Sequence, residues 1–450
     1  MHPESRQRRP LWFRLARGLF FTVLTLATLV ALLWAFENWR GERQWQALVK
    51  AYAAQGDPLD ASGLTPATVP DDQNVAMTPL LRPLTEYDIV KGEPVWHDAP
   101  GIARLDALKL PPLQRDGRSE DGRISLSEWQ STFRATNTFP LPATPGSPAA
   151  DVLAALNRWK PELDELESAT RRPHTRFNRS NTQDSVHALL PQLARGKALS
   201  QILKLRCVAR LAAGDGDGAL SDIEFNERWA RALASDPLLI SQLVAIAIET
   251  LGTAMAWEGL ADHRWNDAQL QRLQALFAAR TPREDMKRAM RGERAFGLAI
   301  MDRWVRDPAA METDGIQSFK SEDPYSPGRT LPRGWVRQNQ ISLVRFHELM
   351  AERSDRWIQG GQPGHELGGD VVEQLKQERP WFYNQLTLML APALGKAMSK
   401  EDRVLTISRM AEIVCALERY RLVHETYPDS LDALVPALLQ ALPPDPCTGD

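Results

Sequence analysis

Cysteine is scarce: three residues in 450, Cys207, Cys415 and Cys447. An odd number at such wide spacings builds no disulfide framework, and no C-x-x-C pair offers a zinc or redox centre. A Cys415–Cys447 pair is open to an exported chain; buried free thiols are the preferred reading. Positive charge is not in excess either. Fifty-four Lys and Arg against 57 Asp and Glu leave a net −3, so no basic field argues for a nucleic-acid partner. Signatures of common chemistries are missing as well. His347-Glu348 and His365-Glu366 each lack the second histidine of H-E-x-x-H, and there is no G-x-S-x-G, S-x-x-K or G-x-x-x-x-G-K-S/T. Gly214, Gly216 and Gly218 form G-x-G-x-G, but after a predicted helix rather than a strand, which fails the dinucleotide-binding context. Eight histidines are scattered without zinc-ligand spacing. No catalytic residue, cofactor-binding residue, metal ligand or cofactor is assigned from the sequence. The balance leans away from an enzyme, although a site assembled in space from distant residues leaves no sequence motif.

One long apolar run is present. Leu19–Phe36, LFFTVLTLATLVALLWAF, is 18 residues without a charge. At about 1.5 Å per residue it reaches roughly 27 Å, enough for a bilayer core. Trp34 and Trp39 stand at its far end, where aromatic rings favour the membrane–water interface. Arg6, Arg8, Arg9, Arg14 and Arg17 precede it against Glu4, whereas charges over residues 37–57 cancel. The positive-inside rule then keeps the N-terminus cytoplasmic and exports the remainder. The expected location is the bacterial inner membrane, single-pass, with the bilayer as a partner through residues 19–36 and the bulk of the chain periplasmic. A cleaved signal peptide would have a shorter apolar region and a small-residue cleavage site, where this run carries Trp34 and Phe36. A buried core helix fits the arginine cluster poorly.

Beyond the run, Trp45, Leu48, Val49 and Tyr52 lie on one helical face before Gly56 and Pro58, which predicts one helix from about 11 to 55. The expected class is mainly α: a transmembrane helix, then a helical exported domain, bundle or degenerate repeat-like, with a Pro-rich irregular segment. The expected order is a basic arm at 1–18, the span at 19–36, a Pro-rich segment at 57–150 and a helical core at 151–310. Loop-interrupted helices follow at 311–400, then a C-terminal helix and Pro-rich tail at 401–450. Within the Pro-rich segment a short helix is predicted near 126–135. In the core, Pro161 breaks one helix, and helices follow at about 192–213 and to 234. Asp236–Pro237 reads as N-cap and N1 of an apolar helix. That helix could pass for a second span, but Ser241, Gln242, Glu249 and Thr250 argue for a buried central helix. Asn266 or Asp267 caps the next, and Thr281–Glu284 is a capping box. Further helices are predicted over about 335–358, 371–398 and 402–426.

Two stretches resemble EF-hand loops that lack the first carboxylate. Asp215, Asp217 and Glu224 fall at positions 3, 5 and 12 around Gly218, with Ala213 at position 1. Around Gly122, Ser119, Asp121 and Glu128 do the same, with Gly117 at position 1. A hard cation needs up to four carboxylates, so a helix–turn–helix turn and an N-capped helix are the preferred readings, and any calcium near Asp215, Asp217 and Glu224 stays open. Residues 199–234 resemble one tetratricopeptide unit through Gly214 and Ala219, but Cys207, Arg210, Asn226 and Arg231 depart from it and no second copy follows. Glu249, a lone carboxylate on an apolar helix, is expected to be salt-bridged or at the edge of the buried face.

Several pieces together resemble an uncharacterised family of single-pass, membrane-anchored bacterial proteins. They are NWRGERQW after the run, VPDDQNVAMTPLL at 69–81, WEGLADHRWNDAQL at 257–270, MRGERAFGLAI at 290–300, GWVRQNQISL at 334–343 and CALERYRLVHETYPDSLDALVP at 415–436. The resemblance implies fold and topology and carries no activity. The C-terminal piece, followed by LPPDP, also resembles the tail of type II secretion pseudopilins, without their leader; both families would continue into strands beyond Asp450. The leading expectation is a non-enzymatic envelope protein with an interaction or scaffolding role and protein partners in the envelope. The alternatives are a secretion or pilus accessory protein and a hydrolase with a non-motif site.

Overall fold

The structure is a computed structural model that describes residues 11–60, 69–90, 93–113, 123–136, 138–177, 190–313, 331–358 and 367–444. Cys447, His365, Ser119, Asp121 and the arginines before Pro10 lie outside them.

The chain is mainly helical. It opens with α1 (Leu11–Ala54), a 44-residue helix. A hairpin follows, β1 (Tyr87–Val90) and β2 (Glu93–Trp96), antiparallel with Tyr87 opposite Trp96 and their rings 5.0 Å apart. Then come α2 (Ala99–Asp106), α3 (Leu126–Ala135), α4 (Pro148–Leu156), α5 (Lys160–Ala169) and α6 (Pro191–Ala212). Next are α7 (Gly216–Ala234), α8 (Leu239–Ala261), α9 (Asp267–Ala278), α10 (Pro282–Arg306) and the single turn α11 (Ala310–Thr313). The chain closes with α12 (Arg333–Ile358), α13 (Leu367–Glu378) and α14 (Gln385–His424).

Several boundaries follow from local chemistry. Asn266 caps α9 in a full capping box with Gln269. Gly214 ends α6 at φ +83°, a conformation glycine adopts without a Cβ penalty. Three expectations are corrected. First, α8 begins at Leu239, because Leu238 is extended; Asp236 instead accepts a bond from the Ser241 hydroxyl at 3.1 Å. Second, Pro380 ends the helix before it, and a single 3-10 turn, Trp381–Tyr383, separates α13 from α14. Third, α14 runs unbroken through 399–401: the Ser399 hydroxyl bonds back to the Gly395 carbonyl at 3.3 Å rather than capping a new helix.

The described residues fall into two compact units, each assembled from separate stretches. One takes residues 1–60, 297–346 and 373–389; the other takes 61–296, 347–372 and 390–450.

In the first unit helix α1 also supplies core. From Trp12 to Phe36 the described large apolar side chains are exposed, and helix α1 is long and apolar enough to cross a membrane. Thr22, Thr25 and Thr28 return their hydroxyls to the carbonyls of Gly18, Phe21 and Leu24 at 2.8–3.1 Å, which leaves no hydroxyl proton unpaired in an apolar solvent. Farther along the same helix Trp45 and Tyr52 are buried, with Leu48 and Val49 beside them, against Trp304, Val336, Leu343 and Leu386.

In the second unit, α6, α7 and α8 pack together around Leu203, Phe225, Trp229 and Met255, with α3, α4, α5 and α9 supplying more of one continuous core. Gly196 lets α6 and α7 approach: a methyl there would lie 2.6 Å from Leu233, and Trp229 donates to the Gly196 carbonyl at 3.2 Å. Helix α8 is long and apolar enough to span a bilayer, but 56% of that window is buried inside the protein. It is a central core helix. A small satellite core of Ala416, Leu434 and Leu439 lies under the C-terminal turn.

Candidate functional site

Among the described residues, three of the places that gather polar side chains bear on function. One is in the first unit, where α1 leaves its exposed apolar stretch. Helix α12 opens with Arg-Gly-Trp-Val-Arg-Gln-Asn-Gln-Ile-Ser, and Arg337, Gln338, Asn339, Gln340 and Ser342 are all buried. Buried polar groups demand partners, and each has them. Arg337 reaches Glu42 and Asp302, both at 2.8 Å, and its guanidinium lies 5.7 Å from the Trp45 ring centroid. Gln338 donates to Gln44 at 2.6 Å and accepts from Arg379 at 2.7 Å. Asn339 accepts the Leu386 amide at 3.1 Å, capping the start of α14. Gln340 donates to the Leu298 carbonyl at 3.1 Å, and Ser342 to Asn384 at 2.9 Å.

Two glycines allow this collar to close. A methyl on Gly334 would sit 2.0 Å from the Glu37 carbonyl oxygen, and one on Gly41 would sit 2.6 Å from the Gly334 oxygen. At the crossing, Asn38 accepts the Gly334 amide at 2.8 Å. Arg40 pairs with Glu37 at 3.2 Å, donates to the Tyr383 hydroxyl and lies over the Tyr383 ring, 5.2 Å from its centroid. Burial alone would raise the Glu42 carboxyl, but the bonds from Gln46 and Arg337 outweigh it and hold it below the ordinary range. Burial, then the bond and charge of Glu37, push the Tyr383 phenol up.

The second place is a buried seam between α7, α8 and α14. Arg280 bonds Glu227 through two nitrogens, Nε at 3.0 Å, and also reaches Thr253, Ser408 and the Glu249 carbonyl at 2.8–3.0 Å. Asn226 joins Ser200 to the Ile248 carbonyl. A methyl on Gly252 would lie 2.4 Å from the Glu227 carboxylate, which would then have to shift. Glu249 is buried beside this seam with Oε2 lacking a hydrogen-bond partner, and burial pushes its carboxyl up to about 7. Of the two expectations for Glu249, a salt bridge or the edge of the buried face, its carboxylate shows no ion pair among the described residues, and Arg280 bonds its backbone carbonyl at 2.9 Å.

The third is a groove of about 530 Å³ in the second unit, where Ser125 and Ser147 cap the N-termini of α3 and α4. Two helix N-termini favour an anion. Arg123, however, is already engaged by Asp262 through two bonds of 2.8 Å and by Glu258 at 3.1 Å, so the groove presents carboxylates beside this shared guanidinium, with Arg264 also on its lining.

The residues singled out by spacing are dispersed. Asp215 caps α7 by accepting the Gly218 amide at 2.9 Å, Asp217 accepts from Gln269 at 2.8 Å, and Glu224 pairs with Arg272 at 2.6 Å. Among the described residues no three His, Cys, Asp or Glu side chains are grouped to hold a metal ion. Glu128 lies in the first turn of α3, behind the Ser125 cap. Cys207 and Cys415 are free, buried thiols, with Cys415 pushed up to about 12 by burial. His347 is buried and held down at about 3 by the same cause. Two positions that depart from the tetratricopeptide pattern have uses here: Arg210 pairs with buried Asp222 at 2.8 Å, and Asn226 bridges three helices. The collar has no spacing motif. Its one sequence signal is a run of polar residues on a helix at positions that should face the core.

No protein-family model, curated protein or solved structure matches the chain.

Proposed function

We propose a single-pass, membrane-anchored protein of the bacterial envelope, N-terminus cytoplasmic and bulk periplasmic, that acts by holding protein partners rather than by chemistry. The observation that carries this is the double use of α1. The same unbroken helix exposes an apolar stretch of bilayer length and buries Trp45 and Tyr52 in a folded core. Attachment to the membrane is thus part of the fold and not a tether added to it. The charge difference across Leu19–Phe36 supports the orientation. We read the helices of the second unit as a bundle or a degenerate repeat-like layer.

The test is crosslinking and pull-down in intact membranes, with the full chain and with a version whose residues 19–36 are exchanged for an unrelated span. Recovery of the same envelope proteins by both is the expected result. Recovery of none, together with hydrolysis of an envelope substrate by the purified chain, would replace this reading with the enzyme. For orientation, a reporter active only outside the cytoplasm and fused after Asp450 is expected to be active; an inactive, folded fusion overturns it. A secretion or pilus accessory role is the second reading. Its support is the Tyr427–Pro428 turn of the pseudopilin-like tail, which Tyr427 fixes by donating its hydroxyl to Glu418 at the end of α14. Enrichment of secretion components in the crosslinked set would favour it.

A further inference from the structure

We infer that the turn Trp381–Tyr383 is a second point of attachment to the membrane, inserting Trp381 and Phe382 into the headgroup layer of the leaflet from which α1 emerges. The inference rests on the anchor reading above and extends it to a surface of the folded unit.

Trp381 is 67% exposed and Phe382 39%, their rings edge to face at 6.2 Å. Two large aromatic side chains on one short turn are costly to leave in water. The height of the turn along α1 is fixed by three contacts. Arg40 donates to the Tyr383 hydroxyl and covers its ring. Trp335 donates to the Phe382 carbonyl at 2.6 Å. Gly334, next to Trp335, rests on the Glu37 carbonyl. The turn is therefore pinned at the level of Glu37–Arg40. Arg40 lies four residues past the last apolar position, Phe36, a rise of about 6 Å. The polar layer on each side of a hydrocarbon core is about 5–7 Å deep, so the turn falls within it.

Neighbouring chemistry agrees. Trp39 on α1 is exposed at the same level and Trp34 about 7.5 Å deeper, so Trp381 and Phe382 widen one aromatic belt at its outer edge. Arg43 lies 5.4 Å from the Trp39 ring centroid, and Arg333 is exposed at the start of α12; both place cations where lipid phosphates lie. The amphipathic indole suits this boundary, with its body among acyl chains and its N–H among headgroups.

The test uses the full chain in native membranes, with benzoylphenylalanine in place of Trp381, of Phe382 or, as a reference, of Trp34. After irradiation, adducts are identified by mass. Phospholipid adducts at 34 and also at 381 or 382 are expected. Adducts at 34 alone, with 381 and 382 linked to protein or unlinked, would overturn the inference and leave the anchor standing. Absence of lipid adducts at all three positions would remove the anchor reading itself. Crosslinks from 381 to a second copy of the chain or to another protein would mean that a protein covers this turn. Because both side chains are exposed, the variants are expected to keep the parent's thermal midpoint, which is measured alongside.

Discussion

Glu249 and Arg280 face the same buried seam and carry opposite lessons. A carboxyl whose folded pKa is raised from 4.5 to about 7 binds more protons folded than unfolded between those values. Its contribution to stability is therefore present at low pH and is lost as pH rises through about 7. Glu249→Gln keeps the shape and removes the charge. The variant is expected to gain on the parent by about 3 kcal/mol between pH 5 and pH 8, read from urea midpoints at both. A constant offset would mean that Glu249 is already ionised. Arg280→Met leaves Glu227 buried without its cation and is expected to cost about 3–5 kcal/mol; the double variant Arg280→Met, Glu227→Leu should recover part of that. A double variant less stable than the single would show that Arg280 serves its hydroxyl and carbonyl partners more than Glu227. At the collar, Gly334→Ala places a methyl against the Glu37 carbonyl and should cost about 1–3 kcal/mol, whereas Gly18→Ala, with open space around it, should cost nothing. Equal melting temperatures for the two variants would contradict the close crossing.

At the scale of elements, legibility depended on how strongly the local pattern competed. Helix α1 was readable because two signals were in phase: an uninterrupted apolar run, then Trp45, Leu48, Val49 and Tyr52 at helical spacing. Its observed end at Ala54 sits beside Gly56, the expected stop. The helix at Leu126–Ala135 was readable from its Ser125 cap. Helix α14 was not. The gap expected between 398 and 402 holds no helix breaker: Lys400 and Glu401 are strong helix formers, and the helix runs through them. The hairpin at 87–96 is too short for its alternation to stand out from a Pro-rich background. The collar was hidden for a different reason. Gln338, Asn339 and Gln340 take their partners, Gln44, Leu386 and Leu298, from distant stretches, and no local pattern reveals such pairings. The calcium-like spacings failed in the opposite sense: adjacency in sequence placed Asp215, Asp217 and Glu224 near one another, but each turns to its own nearby donor.

At the scale of the molecule, both units are built from stretches far apart in sequence. Ending the chain after Val372 would remove residues 373–389 from the first unit and 390–450 from the second. Such a truncation is expected to expose both to limited proteolysis, not only the C-terminal region. Protection of fragments from one unit alone would show that its remaining segments suffice. Each unit is then sensitive to changes in stretches distant in sequence, since neither is a contiguous module.

The keying of α1 into its collar has a mechanical consequence. A helix held by Gly334, Arg337 and Tyr383 behaves as a shaft locked to a hub: its rotational phase sets the direction in which the first unit points. Each inserted residue turns the hub by about 100° and lifts it about 1.5 Å. Two alanines placed between Phe36 and Glu37 would re-aim the Trp381 turn by more than half a revolution. Seven would raise it by about 10 Å while returning it to within about 20° of its original heading. Phase and height thus become separable variables of this helix.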